Sequence, residues 1–152
     1  MPLCFAYGAN MDVEAMASRC PRSKPLGVAR LPGHRFALTR RLYAHASRDP
    51  RREVWGLLWS MAFADLAALD RWEEVDAGLY ARTTRAVIRA AGGPVQAFIY
   101  LARDPDAPGP LAPPAYGVDL LRAACRLRLP SSHLGALQAA LSGAAPALGG
   151  RS

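Results

Sequence analysis

Three short segments hold the residues that could do chemistry, and the first is residues 5–11, FAYGANM. An apolar run ends here at Gly8, Ala9 and Asn10, and helix-forming residues follow from Asp12. Backbone N–H groups of a glycine turn that leads into a helix can bind anions, because they have no partner within the helix. The alternative is a plain strand-to-helix turn with Gly8 at positive φ. The segment by itself favours the plain turn, and an anion-binding turn stays open as the functional interpretation.

The second segment is residues 69–80, LDRWEEVDAGLY, where carboxylates cluster at the end of a predicted helix. The last carbonyls of a helix disfavour negative charge, so a carboxylate held there beside Trp72 should have a raised pKa. A general base that works near neutral pH requires such a pKa. We expect Asp70, Glu74 and Asp76 to face water. Glu73 is the candidate base, and a fully solvated acidic turn is the alternative.

The third feature is Tyr116, which follows the proline-rich residues 103–115 and precedes a predicted helix. Its side chain is either a core aromatic or a hydroxyl that reaches into a pocket. The cysteines and histidines are isolated from one another, at Cys4, Cys20, Cys125, His34, His45 and His133. Because this spacing fits neither a disulfide framework nor a zinc site, no metal is predicted.

The elements that must position these segments follow from hydrophobic periodicity and turn residues. Strands are predicted at residues 3–7, 27–31, 34–39, 54–59, 80–89 and 95–102, with turns at 32–33, 48–52 and 91–93. Helices are predicted from residue 12 to Pro21, with Asn10 or Asp12 as the N-cap, and at 63–72, 118–128 and 132–141. The sum is an α+β fold with a largely antiparallel sheet.

A chain of 152 residues fits one domain, predicted over residues 1–142, with a flexible Ala/Gly-rich tail at 143–152. The longest apolar stretch, residues 54–64, is far shorter than the roughly 20 residues of a membrane span. The N-terminus has no basic region followed by an apolar core, so no secretory signal and no membrane association are predicted. Cytoplasmic localisation is the expectation.

The net charge is +7, yet the arginines are spread along the chain and Lys24 is the only lysine. The densest run of arginines lies within residues 35–52. Such spreading favours a generally basic surface over a dedicated nucleic-acid face. A nucleic-acid partner is therefore not predicted, and the pattern does not specify an oligomeric state.

The ordered motifs resemble the γ-glutamylcyclotransferase family over about residues 4 to 140. The anchors are FAYGANM and LDRWEEVDAGLY, and between and after them come RCP, GVARLPGHRFAL, VWGLLW, VQAFIYLA, PAY and LP. The resemblance implies a small mixed β-barrel with helices packed around it. It also implies that Glu73 is the catalytic base. The residues that it implies for binding the substrate are Phe5, Ala6, Tyr7, Gly8, Ala9, Asn10 and Tyr116.

Two positions depart from the family pattern. Ala9 stands where most members have serine, and Glu74 stands where many have glycine. The implied reaction splits a γ-glutamyl amide into 5-oxoproline and a free amine, through attack of the substrate's own α-amine on its γ-carbonyl. This chemistry requires no cofactor, and its partner is a small γ-glutamyl molecule.

The identity of the leaving amine stays open. The leaving group is expected to lie against the 48–52 turn and the 103–115 segment, and the basic residues there suggest an acidic or carboxylate-bearing amine. Simple γ-glutamyl amino acids are favoured over glutathione, and γ-glutamyl amines or protected natural products are alternatives within the same fold. A noncatalytic protein that binds a ligand or RNA is the alternative from a different functional class.

Overall fold

The computed structural model describes residues 1–148, which form five strands and four α-helices. The strands are β1 Leu3–Ala6, β2 Lys24–Leu38, β3 Ala44–Ser60, β4 Tyr80–Arg89 and β5 Pro94–Ala102. The helices are α1 Val13–Arg19, α2 Phe63–Trp72, α3 Ala115–Arg126 and α4 Ser131–Leu148. The strands close into a barrel in the order β1-β3-β2-β4-β5.

The short strand β1 closes the barrel, because it pairs on both sides. It runs antiparallel to β3, with Phe5 opposite Leu58, and parallel to β5, with Cys4 opposite Phe98. Every other strand pair is antiparallel. A side chain at Gly56 of β3 would collide with the backbone of Ala6, so glycine is required for this close approach. The predicted α+β fold and largely antiparallel barrel are confirmed.

The hairpin formed by β2 and β3 is longer than the sequence predicts. The expected turn at Pro32 and Gly33 is wrong, because β2 continues through it as a bulge with Gly33 at φ 74°. On β3 the ladder jumps from Arg48 to Glu53, so the polar residues 49–52 bulge out of the strand instead of turning it. The actual reversal is residues 39–43, where Thr39 N–H donates to the carbonyl of Tyr43 at 2.8 Å.

The helices agree with the sequence at most of their boundaries. Asp12 is the N-cap of α1, and its carboxylate accepts from the N–H groups of Glu14 and Ala15, both at 3.1 Å. The predicted bounds of α2 are confirmed, whereas α3 begins at Ala115, three residues before the expected start. None of the helices in the described part is long and apolar enough to cross a membrane.

The final helix α4 runs to Leu148, beyond the expected end at residue 141. The predicted tail at 143–152 therefore begins inside this helix, and its last four residues lie outside the described part. The flexibility of the tail stays a prediction.

The core fills the barrel and continues beneath the helices. Leu31, Val54 and Ile99 from three strands are fully buried, as are Leu69 of α2 and Leu137 of α4. Burial of Leu69 fixes the end of α2 against the barrel, so the residues that follow it are held at a defined place on the barrel mouth.

Candidate active site

A cavity of about 520 Å³ opens at the mouth of the barrel between β1, α2 and α3. It is of the size typical of small-molecule sites. The cavity is lined by all eight residues singled out from the sequence: Phe5, Ala6, Tyr7, Gly8, Ala9, Asn10, Glu73 and Tyr116. The tertiary fold thus brings together two segments more than 60 residues apart, since Asn10 and Glu73 are separated by 63 positions.

The FAYGANM turn is anchored to the barrel by a hydrogen bond from strand β3. The buried indole of Trp59 donates to the carbonyl of Asn10 at 3.1 Å. Residues Ala9–Met11 form a short 3-10 helix, so the turn does not lead directly into an α-helix as the sequence suggests. The first backbone N–H groups of a 3-10 helix have no acceptor within the helix, and here these are the N–H groups of Gly8 and Ala9.

Gly8 is required for space and not for a left-handed backbone. Its φ is −122°, so the expectation of a positive φ is wrong. A Cβ at this position would lie 2.9 Å from the Cβ of Ala44 and 3.4 Å from the hydroxyl of Tyr116. The absence of a side chain therefore lets the turn pack against the β2–β3 hairpin and α3 while keeping the cavity open.

Glu73 lies at the C-cap of α2 and is held by a chain of hydrogen bonds. The amide Nδ2 of Asn10 donates to Oε1 of Glu73 at 2.9 Å, and the guanidinium of Arg19 donates to Oδ1 of Asn10 at 2.6 Å. Arg19 also stacks on the ring of Trp72, with 3.5 Å between its Cζ and the ring centroid. Because Arg19 occupies the amide oxygen, the amide nitrogen of Asn10 is turned toward Glu73.

Burial raises the pKa of Glu73 from its ordinary 4.5 to about 7. The positive charge of Arg19 and the hydrogen bond from Asn10 oppose this rise, while the negative charges of Asp70 and Glu74 add to it. The predicted rise in pKa is therefore confirmed, and loss of hydration is its main cause. A carboxyl group with this pKa can both accept and release a proton near neutral pH.

Glu74 is directed differently from Glu73 because it is the residue that terminates the helix. It adopts a left-handed conformation with φ 52°, its N–H donates to the carbonyl of Arg71, and the N–H of Val75 donates to the carbonyl of Asp70. This is the Schellman motif, in which glycine is usual at the position of Glu74. The carboxylate of Glu74 is exposed, as predicted, and so is that of Asp76.

Asp70 does not face water as predicted. The hydroxyl of Tyr100 donates to its carboxylate at 2.6 Å, and Arg82 lies 3.4 Å from it. The hydroxyl of Tyr7 in turn donates to the backbone carbonyl of Tyr100 at 2.6 Å. The sequence could not indicate this chain of contacts, because Tyr100 and Arg82 reach Asp70 only after β4 and β5 pair across the barrel.

Tyr116 takes the second of its two sequence interpretations, a hydroxyl that faces the cavity. Its hydroxyl accepts from the N–H of Ala44 at 2.9 Å, and its ring packs edge-on against Tyr43. The hydroxyl of Tyr80 donates to the carbonyl of the same Ala44 at 2.8 Å. Two tyrosines from distant segments are thus fixed to one backbone position at the wall of the cavity.

Several cavity residues were not predicted from the sequence. They are Cys4, Arg41, Tyr43, Ala44, Arg71, Trp72, Glu74, Leu79, Tyr80, Tyr100 and Pro113. Tyr80 ends the LDRWEEVDAGLY motif, so a signal for it was present. Burial, together with the negative charge of Glu73, raises the pKa of Cys4, so its thiol stays protonated and is a poor nucleophile. No cluster of three His, Cys, Asp or Glu side chains suited to a metal occurs within residues 1–148.

The family profile described as gamma-glutamyl cyclotransferase, AIG2-like, matches residues 4–117. This match covers the turn, Glu73 and Tyr116. The chain belongs to the γ-glutamylcyclotransferase family. Curated relatives named gamma-glutamylcyclotransferase from Bos taurus and Homo sapiens are each 34% identical over 88 residues. The matched part is 51% of this chain and 47% of each relative, so the chain spans about half the length of these proteins.

Two solved structures resemble this fold over about nine-tenths of the chain. A structure named gamma-glutamyl cyclotransferase superposes with a TM-score of 0.81 at 26% identity, over 91% of this chain and 86% of the other. A human protein described as uncharacterized superposes with a TM-score of 0.76 at 28% identity, over 90% and 86% of the two chains. The γ-glutamylcyclotransferase fold therefore extends over nearly the entire chain.

Proposed function

We propose that this chain is an enzyme that cleaves a γ-glutamyl amide into 5-oxoproline and a free amine. One observation carries the proposal: Glu73, with a pKa near 7 and held by Asn10, lines the same cavity as the FAYGANM turn. The arrangement offers a proton acceptor and unpartnered backbone donors within reach of one small ligand. Membership of the family and the names of its relatives support the same reaction.

The reaction is an intramolecular acyl transfer. The substrate's α-nitrogen forms a bond to its γ-carbonyl carbon, the amide bond to the leaving amine breaks, and a five-membered lactam remains. Holding the glutamyl chain in a folded conformation contributes most, because effective molarities of oriented intramolecular reactions reach about 10⁵ M or more. No water is consumed, so the products are 5-oxoproline and the amine, not glutamate.

Glu73 is assigned the proton transfer. The α-ammonium group cannot attack while it is protonated, so the carboxylate of Glu73 removes a proton from it. The same proton is then delivered to the nitrogen of the departing amine, which leaves Glu73 ionised again. The attacking nitrogen loses a second proton as the lactam forms, and the released amine takes up this proton to become an ammonium ion. The N–H groups of Gly8 and Ala9 hold one of the substrate's two negative oxygens, that of the α-carboxylate or that of the tetrahedral intermediate.

The test is a panel of γ-glutamyl donors, with 5-oxoproline and glutamate measured separately. We expect 5-oxoproline without glutamate, and no incorporation of oxygen from labelled water. An N-acetylated γ-glutamyl donor serves as the matched control, because its α-nitrogen is not nucleophilic. Release of glutamate, or turnover of the acetylated donor, would show hydrolysis instead and contradict the proposal. Absence of 5-oxoproline from every donor in the panel would contradict it as well.

A further inference from the structure

Arg41 is a cavity-lining cation that the proposed mechanism does not use. It lies in the turn between β2 and β3, and the other residues of the cavity wall on this side are Tyr43, Pro113 and Tyr116. Its Cζ lies 5.3 Å from the centroid of the Tyr43 ring. The arginines of the 48–52 bulge, which the sequence suggested for contact with the leaving group, do not line the cavity.

The proline-rich segment holds Arg41 in place at three points. The side-chain Nε donates to the carbonyl of Pro110 at 2.8 Å, and the backbone carbonyl of Arg41 accepts from the N–H of Ala112 at 2.8 Å. A Cβ at Gly109 would lie 2.9 Å from the same Nε, so the backbone here passes close against the guanidinium. A side chain fixed in this way loses little conformational entropy when it binds a ligand.

The charge of Arg41 is not neutralised by the described part of the chain. The ion pairs of residues 1–148 are formed by Arg30, Arg52, Arg82 and Arg122. Only one of the five guanidinium N–H donors is used, by Pro110. The two terminal nitrogens therefore retain the paired donor geometry that matches a carboxylate.

Arg41 and Glu73 belong to different parts of the cavity wall. The charges that shift the pKa of Glu73 come from Arg19, Asp70 and Glu74, on α1 and the end of α2. Burial raises the pKa of Tyr80, the negative charge of Glu73 adds to the rise, and the positive charge of Arg41 opposes it. Tyr80 is thus within electrostatic range of both, with Arg41 on the side of the β2–β3 turn.

The geometry of the proposed reaction determines which part of the substrate lies beside Arg41. The α-nitrogen and the γ-carbonyl carbon become members of the ring that forms, and the α-carboxylate is a substituent on that ring, so all three stay close to Glu73 and the Gly8–Ala9 turn. Only the leaving amine extends away from them. Resting on the proposed function, we infer that Arg41 binds a carboxylate on the leaving amine and so selects γ-glutamyl amino acids or peptides over γ-glutamyl derivatives of uncharged amines.

The experiment compares γ-glutamyl-alanine with γ-glutamyl-alaninamide, which have nearly the same size and differ in the charge at one end. The quantity measured is the ratio of the two kcat/KM values. We expect the wild type to favour the acid by about ten- to hundredfold, as for a paired charged contact, and Arg41→Met to bring the ratio near one. Arg41→Lys should restore part of the preference. The matched control is Arg40→Met, which removes an exposed neighbouring charge and should keep the preference.

Two outcomes would overturn the inference: a wild type that does not distinguish the substrates, or an Arg41→Met variant that loses activity equally on both. Calorimetry with Glu73→Gln separates this inference from the proposed function, because it measures binding without turnover. Tighter binding of the acid than of the amide, abolished in the double variant with Arg41→Met, would support the carboxylate site even if no 5-oxoproline were released. Equal binding of the two ligands would refute it.

Discussion

Replacement of Glu73 by glutamine should make the protein inactive and, at alkaline pH, more stable. Glutamine keeps the oxygen that accepts from Asn10, at 2.9 Å in the present structure, and keeps the size of the side chain. It removes the negative charge that burial disfavours. Loss of activity together with a gain of stability would indicate that Glu73 serves catalysis. A residue with a purely structural role should not destabilise the fold in its ionised form.

The stability change follows from linkage between ionisation and folding. The pKa of Glu73 is about 7 in the folded chain and near its ordinary 4.5 when unfolded. Between these values the folded state binds more protons, so the stability contributed by the protonated acid is present below pH 4.5 and is lost as pH rises through 7. At about 1.4 kcal/mol for each pH unit, the full loss is roughly 3 kcal/mol. We expect the glutamine variant to avoid most of it.

Chemical denaturation at a series of pH values measures this difference directly. The free energy of unfolding of Glu73→Gln minus that of the wild type should rise by about 2–3 kcal/mol from pH 4.5 to pH 8.5. The control Glu74→Gln changes an exposed carboxylate and should preserve most of the wild-type pH dependence. A difference that is constant with pH would refute a raised pKa for Glu73, and unaltered 5-oxoproline release by Glu73→Gln would refute its role as the base.

Three further substitutions test the surroundings of the base. Arg19→Met removes the charge that lowers the pKa of Glu73, so the rise of kcat/KM with pH should move to higher pH; a profile that moves to lower pH or stays in place would contradict the assignment. Glu74→Gly relieves a left-handed backbone at φ 52° and should stabilise the fold by about 1 kcal/mol in urea denaturation, whereas Glu74→Ala should not. Tyr7→Phe removes a buried hydrogen bond to the carbonyl of Tyr100 and should cost about 1–2 kcal/mol; an unchanged unfolding midpoint would argue that the bond is replaced.

Local signals predicted the elements that depend on local interactions. The helix at 63–72 and its acidic end follow from periodicity, and the β4–β5 hairpin follows from a glycine turn between two β-branched runs. Asp12 was one of two N-cap candidates and is the residue that caps α1. The bulge at Gly33 was missed because proline followed by glycine is equally typical of a turn, and pairing with a distant strand decides between them.

The conformation of Glu74 illustrates a different limit of prediction from the sequence. The two adjacent glutamates are indistinguishable by residue type, and both line the cavity. The backbone gives them different surroundings: the helix ends through a left-handed residue at Glu74, whose side chain is exposed, whereas Glu73 at the C-cap accepts a hydrogen bond from Asn10. The same geometry explains why glycine is usual at the position of Glu74.

By itself, the sequence determined the helices and most of the strands, the placement of an acid at the end of α2 and the presence of a glycine turn after β1, because each depends on neighbouring residues. Closure of the barrel decided what those residues touch. It produced the hydrogen bond from Asn10 to Glu73 and the hydrogen bond from Arg19 to Asn10. It also produced the burial that raises the pKa of Glu73 to about 7. Loss of hydration depends on atoms brought from distant parts of the chain, so only the tertiary structure could determine it.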